Sequence, residues 1–386
     1  MLSAAFSIGA SGLTTMNRVV DTVSNNLANA NTPYFSRSDR LLSDLQFGGV
    51  TSKEAFRFSA SSLERMAQSE GAYTFQNTQS AYLSNIQEGL SATSDQIGNI
   101  SADYKKAVGN LLISTDTTTA QSVVSAQGKS MAVLLNSQYK ELQNSLADAQ
   151  SSVSYNMEKA NGVAKQIAQL NKEVTLSGAE SATTNKLAQL SQEYAGLTGA
   201  TIKFEKNGMV SATVNGNQTI FADQAKDITD SVGVGGSIGG VAAAATKITG
   251  YMADLDKKVA DYSTAMNTAN GGTALFSGSL AGGDFAYTSA PVAVGTANNV
   301  LNVKPLDSGI GTLAGTAALD AESASNTADY QNTLLENQKN AWQAQYGVDV
   351  DQETLKMKEA QRAYEANAKV IATADSMLGT LLSIKS

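Results

Sequence analysis

LSAAFSIGASGLTTMNRVVDTVSNNL, residues 2–27, repeats small or apolar residues at every seventh position in two columns. Leu2, Gly9, Met16 and Val23 form one column, and Phe6, Leu13, Val20 and Leu27 form the other. A repeat of seven sustained over this length is a coiled-coil seam, whose knobs need a facing helix. The far end of the chain carries the same interval in Met357, Tyr364, Ile371 and Leu378, flanked by Ala360, Ala374 and Leu381. Each end has one stripe and cannot bury it alone. The two ends are expected to pair with each other, with neighbouring copies, or with both. Until assembly supplies that partner surface, both are expected to be disordered in the monomer.

Inward from these ends the heptads continue. From about Ala72 to Ile113, Leu83, Leu90, Ile97, Tyr104 and Leu111 share a column, with Ile86, Ile100 and Ala107 beside it. The stretch 114–119 breaks the period, and Asp116 or Thr117 suits the N-cap of the next helix. A further seam passes through Leu142, Leu146, Val153, Ala160, Ile167, Leu170 and Val174. Polar Asn156 falls in that seam, where such a residue fixes register at some cost in stability. A helix of about 35 residues is about 50 Å long, so this region is expected to be a rod. Its core is expected to include Leu83, Leu90, Ile97, Tyr104, Leu146, Val153, Ile167 and Leu170.

The remaining segments are shorter. Residues 34–71 interleave aromatic and basic side chains (Tyr34, Phe35, Arg37, Arg40, Phe56, Arg57, Phe58) and read as a partly extended connector. A short helix from Asn185 ends near Gly196 or Gly199. The period then becomes two, and Asn207-Gly208 and Asn215-Gly216 are turn dipeptides, so a small β-meander is predicted over 200–222. The Gly/Ala-rich run 231–245 reads as a loop, with helix resuming over 246–269. Residues 270–318 read as loops with a few strands, among them 291–294 and 300–303. A last rod helix is expected from Asp320 to Tyr346, and 347–351 separates it from the terminal helix.

That order is palindromic, so the chain goes out along an axis and returns beside itself. The predicted class is mainly α with a smaller β part: long coiled-coil-like rod helices, paired N- and C-terminal helices, a small β-meander and a short Gly/Ala-rich insert. The expected division is a terminal-helix assembly domain (1–35 with 350–386), a helical rod domain (36–230 with 246–270 and 319–349), and a short, reduced outer insert (271–318).

Composition removes whole classes of chemistry. The 386 residues include no cysteine and no histidine. Disulfides, thiolate zinc sites, cysteine nucleophiles, Ser-His-Asp triads and His-Glu-x-x-His proteases are excluded. Only carboxylate, lysine or tyrosine catalysis remains, and no cofactor or metal is expected. Asp349 and Asp351 have the spacing of a calcium loop without its Gly and Glu, and an N-cap explains them better. Gly233–Gly240 lacks the Gly-Lys-Ser/Thr of a phosphate loop. A formal charge of −8 and a pI near 4.8 argue against nucleic acid. No apolar run reaches the roughly 18 residues of a bilayer span, so no membrane insertion is expected. The N-terminal stretch has no positive charge before Arg18 and does not read as a cleaved signal. Only 16% of residues are charged, so the surface leans on Ser, Thr, Asn and Gln, which suits an exported protein.

The segment SNNLANANTPYFSR (24–37) resembles the N-terminal signature of bacterial flagellar axial proteins, the rod, hook and hook-associated proteins. Independently, GVDVDQE (347–353), QRAYEANAKVI (361–371) and DSML (375–378) are similar to the end of the hook-associated branch that forms the first hook–filament junction. The mid-chain AKQIAQLNKE (164–173) is similar to that branch's core helix. Three departures stand out. Tyr34-Phe35-Ser36-Arg37-Ser38 replaces the usual Gly-Tyr-Ser-Arg-Gln, the acidic run before the β segment survives only as NKLAQLS (185–191), and the 270–318 region is brief.

The resemblance implies a structural subunit of the bacterial flagellum at the junction between hook and filament, and not an enzyme. Copies would self-assemble into a helical ring or tube through the terminal helices. Leu2, Phe6, Leu13, Met16, Val20, Val23, Asn25, Asn26, Leu27 and Asn29 are the expected interface residues at one end. Met357, Tyr364, Val370, Ile371, Leu378 and Leu381 are those at the other. Further implied partners are the hook protein, a second junction protein and an export chaperone at the C-terminal helix. The implied location is the extracellular flagellum, reached by flagellar type III export. The alternatives are another axial protein (hook protein or filament-type subunit) or an enzyme displayed on such a scaffold.

Overall fold

Two capping residues set the rod. After the N-terminal helix α1 (Leu2–Ala28), Ser59 is extended and its hydroxyl accepts the Ser62 N–H at 3.4 Å, which starts α2 (Ala60–Ile113), the first helix of the rod. Asp116 accepts the Thr119 N–H at 3.1 Å and starts α3 (Thr117–Ser177). Those bonds to Thr119 hold the Asp116 carboxyl below its usual pKa, as an anion at a helix N-terminus should be. At about 1.5 Å per residue, α2 and α3 are each on the order of 80–90 Å long. The computed structural model describes residues 2–46 and 48–385, except the side chains of 2, 3, 381, 382, 384 and 385. The expected interface residues Leu2 and Leu381 therefore lie outside the described side chains.

The chain turns back through α4 (Ser181–Thr198), which ends on left-handed Gly199. An antiparallel sheet follows in the order β3 (Thr201–Phe204), β4 (Val210–Val214), β5 (Asn217–Phe221) and β6 (Gln224–Ala225). Asn215 and Gly216 have φ of 47° and 75° and make the two-residue turn between β4 and β5, as their dipeptide predicts. Then come α5 (Gly236–Ala269), the pair β7 (Phe276–Ser277) and β8 (Ala286–Tyr287), α6 (Ala297–Leu301), α7 (Asp307–Tyr346) and α8 (Val350–Lys385).

Two apolar cores lie along the rod. One joins the C-terminal half of α2, the start of α3, α5, the start of α7 and residues 275–306. The other joins the start of α2, the end of α3, α4, the sheet and Trp342. Leu83, Leu90, Ile97, Tyr104 and Ile167 are fully buried in these cores. Leu146, Val153 and Leu170 are only half-buried at their edges. Asn156 is not the polar residue that fixes register. That role falls to Asn171, which is fully buried. Its side-chain amide donates to Val210 O and Ala222 O, both at 2.7 Å, and its oxygen accepts Val210 N–H at 2.9 Å. Every polar atom of the side chain is satisfied, so α3 and the sheet can meet in one alignment.

Four segments differ from the sequence expectation. The connector 34–71 is partly extended as expected, in a hairpin of β1 (Ser38–Asp44) and β2 (Val50–Phe56), but from Ala60 it is already the start of α2. The Gly-rich run is not a loop after 235, because α5 begins at Gly236. A Cβ on Gly240 would collide with the backbone carbonyl of Phe75, and one on Gly236 with the backbone at Gly196–Thr198. Gly240 serves close helix crossing, and Gly236 combines a close approach with a left-handed φ of 58°. The stretch 300–303 is a helix end, and α7 begins at Asp307 rather than 320. The insert is not peripheral either, since Leu275, Phe276, Phe285, Tyr287, Val292 and Val300 are all buried in the first core.

Candidate functional site

The terminal stripes meet each other, one of the pairings the sequence left open, and small residues decide how. Gly9 and Gly12 of α1 face Ile371 and Asn367 of α8, with an added Cβ on Gly9 coming 2.6 Å from Ile371 Cγ1. Gly9, the glycine in the heptad column, and Gly12 both lie where α1 leaves no room for a Cβ against α8. Met16, Val23, Ala360 and Ala374 are buried in this seam. Phe6, Leu13, Val20, Leu27, Asn29, Met357 and Ile371 are half-buried. Asn25, Tyr364, Val370 and Leu378 remain exposed.

Asn26 corrects the expectation that it faces a neighbouring copy. It has no exposure at all. Its amide donates to Ser38 O at 2.8 Å and to Glu353 Oε2 at 2.9 Å, and its oxygen accepts the Ser38 N–H at 3.1 Å. One side chain thus ties α1 to the hairpin and to α8. Met16 and Val23 are likewise spent on the chain's own other end, because the α1–α8 seam covers them before any neighbour arrives.

A charged cluster extends this junction. Lys356 Nζ donates to Asp39 Oδ1 at 2.8 Å and to Glu353 Oε1 at 2.7 Å. Arg57 Nε donates to Asp39 Oδ2 at 2.6 Å. Burial opposes ionisation of Asp39, but the bonds to Lys356 and Arg57 outweigh it and hold the carboxyl below its usual pKa. Burial likewise disfavours the Lys356 ammonium, and its two carboxylate partners outweigh that and raise its pKa. Both groups are charged at neutral pH. Upstream, Asp349 accepts the N–H groups of Asp351 and Gln352 at 3.0 and 3.1 Å, which is the expected N-cap of α8.

The hairpin is fastened to α1 as well. Thr15 Oγ1 donates to Val50 O at 3.0 Å, Val50 N–H donates to Ser11 Oγ at 3.2 Å, and Arg40 Nε donates to Thr22 Oγ1 at 2.8 Å. Between hairpin, α1 and α8 lies an open groove of about 640 Å³ whose apolar lining includes Met16, Val19, Leu41, Leu42, Ala360 and Ala363. Leu41 and Leu42 are more than half exposed, and Ile8, Leu355, Val370 and Met377 are also exposed. Among the described residues no group of three or more His, Cys, Asp or Glu side chains could hold a metal ion. No described helix is long and apolar enough to cross a membrane. The arrangement is suited to packing: a partly covered apolar seam, locked from behind by hydrogen bonds and ion pairs.

Sequence reasoning missed Ser38, Asp39, Glu353, Lys356 and the two exposed leucines. Glu353 carried one signal, its place in the first turn of a helix capped by Asp349. The others had none, because the hairpin does not alternate cleanly.

Comparison with known proteins follows the same map. Residues 6–35 match the family described as flagella basal body rod protein. Residues 83–233 match the flagellar hook-associated protein FlgK helical domain, and residues 343–384 match the flagellar basal body rod FlgEFG protein C-terminal segment. No curated protein matches the chain. Among solved structures it is similar to the flagellar hook junction protein FlgK from Burkholderia pseudomallei, with a TM-score of 0.50 and 12% identity. That match covers 54% of this chain and 43% of the Burkholderia protein, less than half of its length. At that identity the likeness speaks to fold. In chain order the matched segments are a rod-protein start, a FlgK helical domain and a FlgEFG-type end.

Proposed function

We propose that this chain is a structural subunit of the bacterial flagellum that forms the junction between hook and filament. The observation that carries the reading is the half-finished seam: α1 and α8 pair, yet Tyr364, Val370, Met377 and Leu378 stay exposed along α8. A helix pair with apolar flanks and no further core has use for copies of itself. Contacts of that kind on a subunit whose surfaces do not close on one pair generate rings or tubes. The expected interface residues that are exposed or half-buried, among them Phe6, Leu13, Val20, Leu27, Tyr364, Val370, Ile371 and Leu378, would meet neighbours. The assembly, rod and insert divisions are read in the same way, with terminal helices inward and the rod outward.

In this reading the hook protein lies below, a second junction protein lies above, and an export chaperone holds α8 before assembly in a helix-in-groove contact. Export runs through the flagellar type III channel. We read the chain as non-catalytic. Negative-stain microscopy of a strain lacking this chain tests the proposal. Hooks without filaments, with filament subunits shed into the medium, are expected. Normal filaments overturn it, and missing hooks assign the chain to the hook or rod instead.

A further inference from the structure

Tyr34 stands in the short segment between α1 and the hairpin, with a φ of 60°. That is the left-handed region, which a bulky side chain rarely adopts and glycine adopts freely. Such a conformation persists only when its surroundings over-determine it. Here they do. The Tyr34 hydroxyl donates to Glu70 Oε2 of α2 at 3.1 Å. Lys339 of α7 lies 5.9 Å from the centre of its ring and bridges to the same Glu70 oxygen at 3.4 Å. The ring packs against the core that contains Trp342. Burial first, and then Glu70, push the phenol's pKa up, so the hydroxyl stays a donor.

The neighbouring backbone has no slack. Ser36 and Asn185 exchange two hydrogen bonds, N–H to Oδ1 at 2.8 Å and Nδ2 to O at 3.1 Å. Arg37 N–H donates to Tyr346 O at 3.0 Å, and its guanidinium donates to Gly347 O at 3.3 Å. The two chain passages from terminal helices to rod, 28–38 and 346–350, are thus fastened to each other at one point. Tyr34 is the one non-glycine residue of these passages with a positive φ, and its side chain meets Glu70 of α2 and Lys339 of α7.

We propose that Tyr34 is a positioning residue, a side-chain lock that fixes the direction in which the terminal helix pair leaves the rod. The left-handed backbone bends the chain, and the grip of Glu70 and Lys339 turns a joint that glycine would leave free into a rigid one. A residue serving only as core filler would need neither the strained backbone nor partners on two rod helices. The lock acts wherever the subunit sits in the flagellum, so it stands or falls apart from the junction role.

The absence of cysteine makes the test direct, because two introduced thiols take spin labels without competition. Asn17→Cys on α1 and Asp329→Cys on α7, both exposed positions, report the distance between the terminal pair and the rod in the full chain. The parent is expected to give one narrow distance distribution. Tyr34→Gly is expected to widen it, and Tyr34→Phe, which keeps the ring but not the bond to Glu70, to widen it less. Emission of the single tryptophan, Trp342, checks that the rod core is intact in each variant. A distribution for Tyr34→Gly as narrow as the parent's overturns the lock, and so does a parent distribution that is already broad. If Tyr34→Gly fails to fold, Tyr34→Phe decides alone: an unchanged width overturns the proposal.

Discussion

At the scale of single residues, the terminal junction depends on polar side chains that have no freedom left. Asn26, Asp39, Glu353 and Lys356 join three elements through bonds of 2.7–3.1 Å, and Glu353 is only 1% exposed. Asp39 sets how this junction responds to pH. Its folded pKa lies below the unfolded value of roughly 3.9. The stability it contributes is present above that unfolded value and is lost as pH falls through the lower, folded one. Lys356 has the opposite sign: its folded pKa is raised. Its contribution is complete below roughly pH 10.4 and disappears as pH rises through the folded value. Arg57 and Lys356 are partly open to water, so screening limits each pair to about 0.5–1 kcal/mol. Asp39→Asn is therefore expected to lower the urea midpoint for exposure of the hairpin amides at neutral pH. Parent and variant should converge as pH drops well below about 4. A gap that stays constant into strong acid would mean the carboxylate charge is not what holds the hairpin.

At the scale of elements, glycine has two opposite meanings in this chain, and space distinguishes them. Gly240 lies where α5 crosses α2, and a Cβ there would strike the Phe75 carbonyl, a backbone atom that cannot swing away. Gly162 of α3 is exposed, and nothing lies within 4 Å of the Cβ it lacks. Gly162→Ala should raise stability by about 0.5–1 kcal/mol, because alanine restricts the unfolded chain and suits a helix. Gly240→Ala should lower stability by about 1–3 kcal/mol through overpacking. Thermal melts of the two variants check both signs, and two shifts in the same direction would refute the distinction.

The same contrast explains what the sequence did and did not disclose. Heptads in α1, α2 and α8 were legible because each helix has a facing apolar partner along much of its length. The β3–β5 meander was legible through its Asn-Gly turns. The start of α5 was not, since a tertiary crossing overrode the poor helix propensity of its glycines. The β1–β2 hairpin was hidden because Leu41 and Leu42 are adjacent and both exposed, which defeats a period of two. The seam at the ends was visible as a stripe, but Asn26 within it was assigned to a neighbour because no local pattern shows that Ser38 and Glu353 converge on it.

At the scale of the whole molecule, the two rod cores contain no residue of α1 or α8 among the described residues. The rod should therefore fold without the termini, and the terminal pair should add little to it. A two-helix pair with exposed flanks is marginal by itself, since helices draw most of their stability from tertiary packing. This bears on the expectation that the ends are disordered before assembly. In the structure they are paired helices, yet the pairing leaves Tyr364, Val370 and Leu378 open, so assembly would finish what the monomer begins. Removing residues 1–33 and 350–386 is expected to leave the cooperative thermal transition of the rod at the temperature of the full chain, with Trp342 emission unchanged. Circular dichroism at both lengths measures this. If the midpoint falls with truncation, the termini are part of one cooperative unit with the rod. Their exposed stripe would then belong to a finished fold rather than to an interface awaiting neighbours.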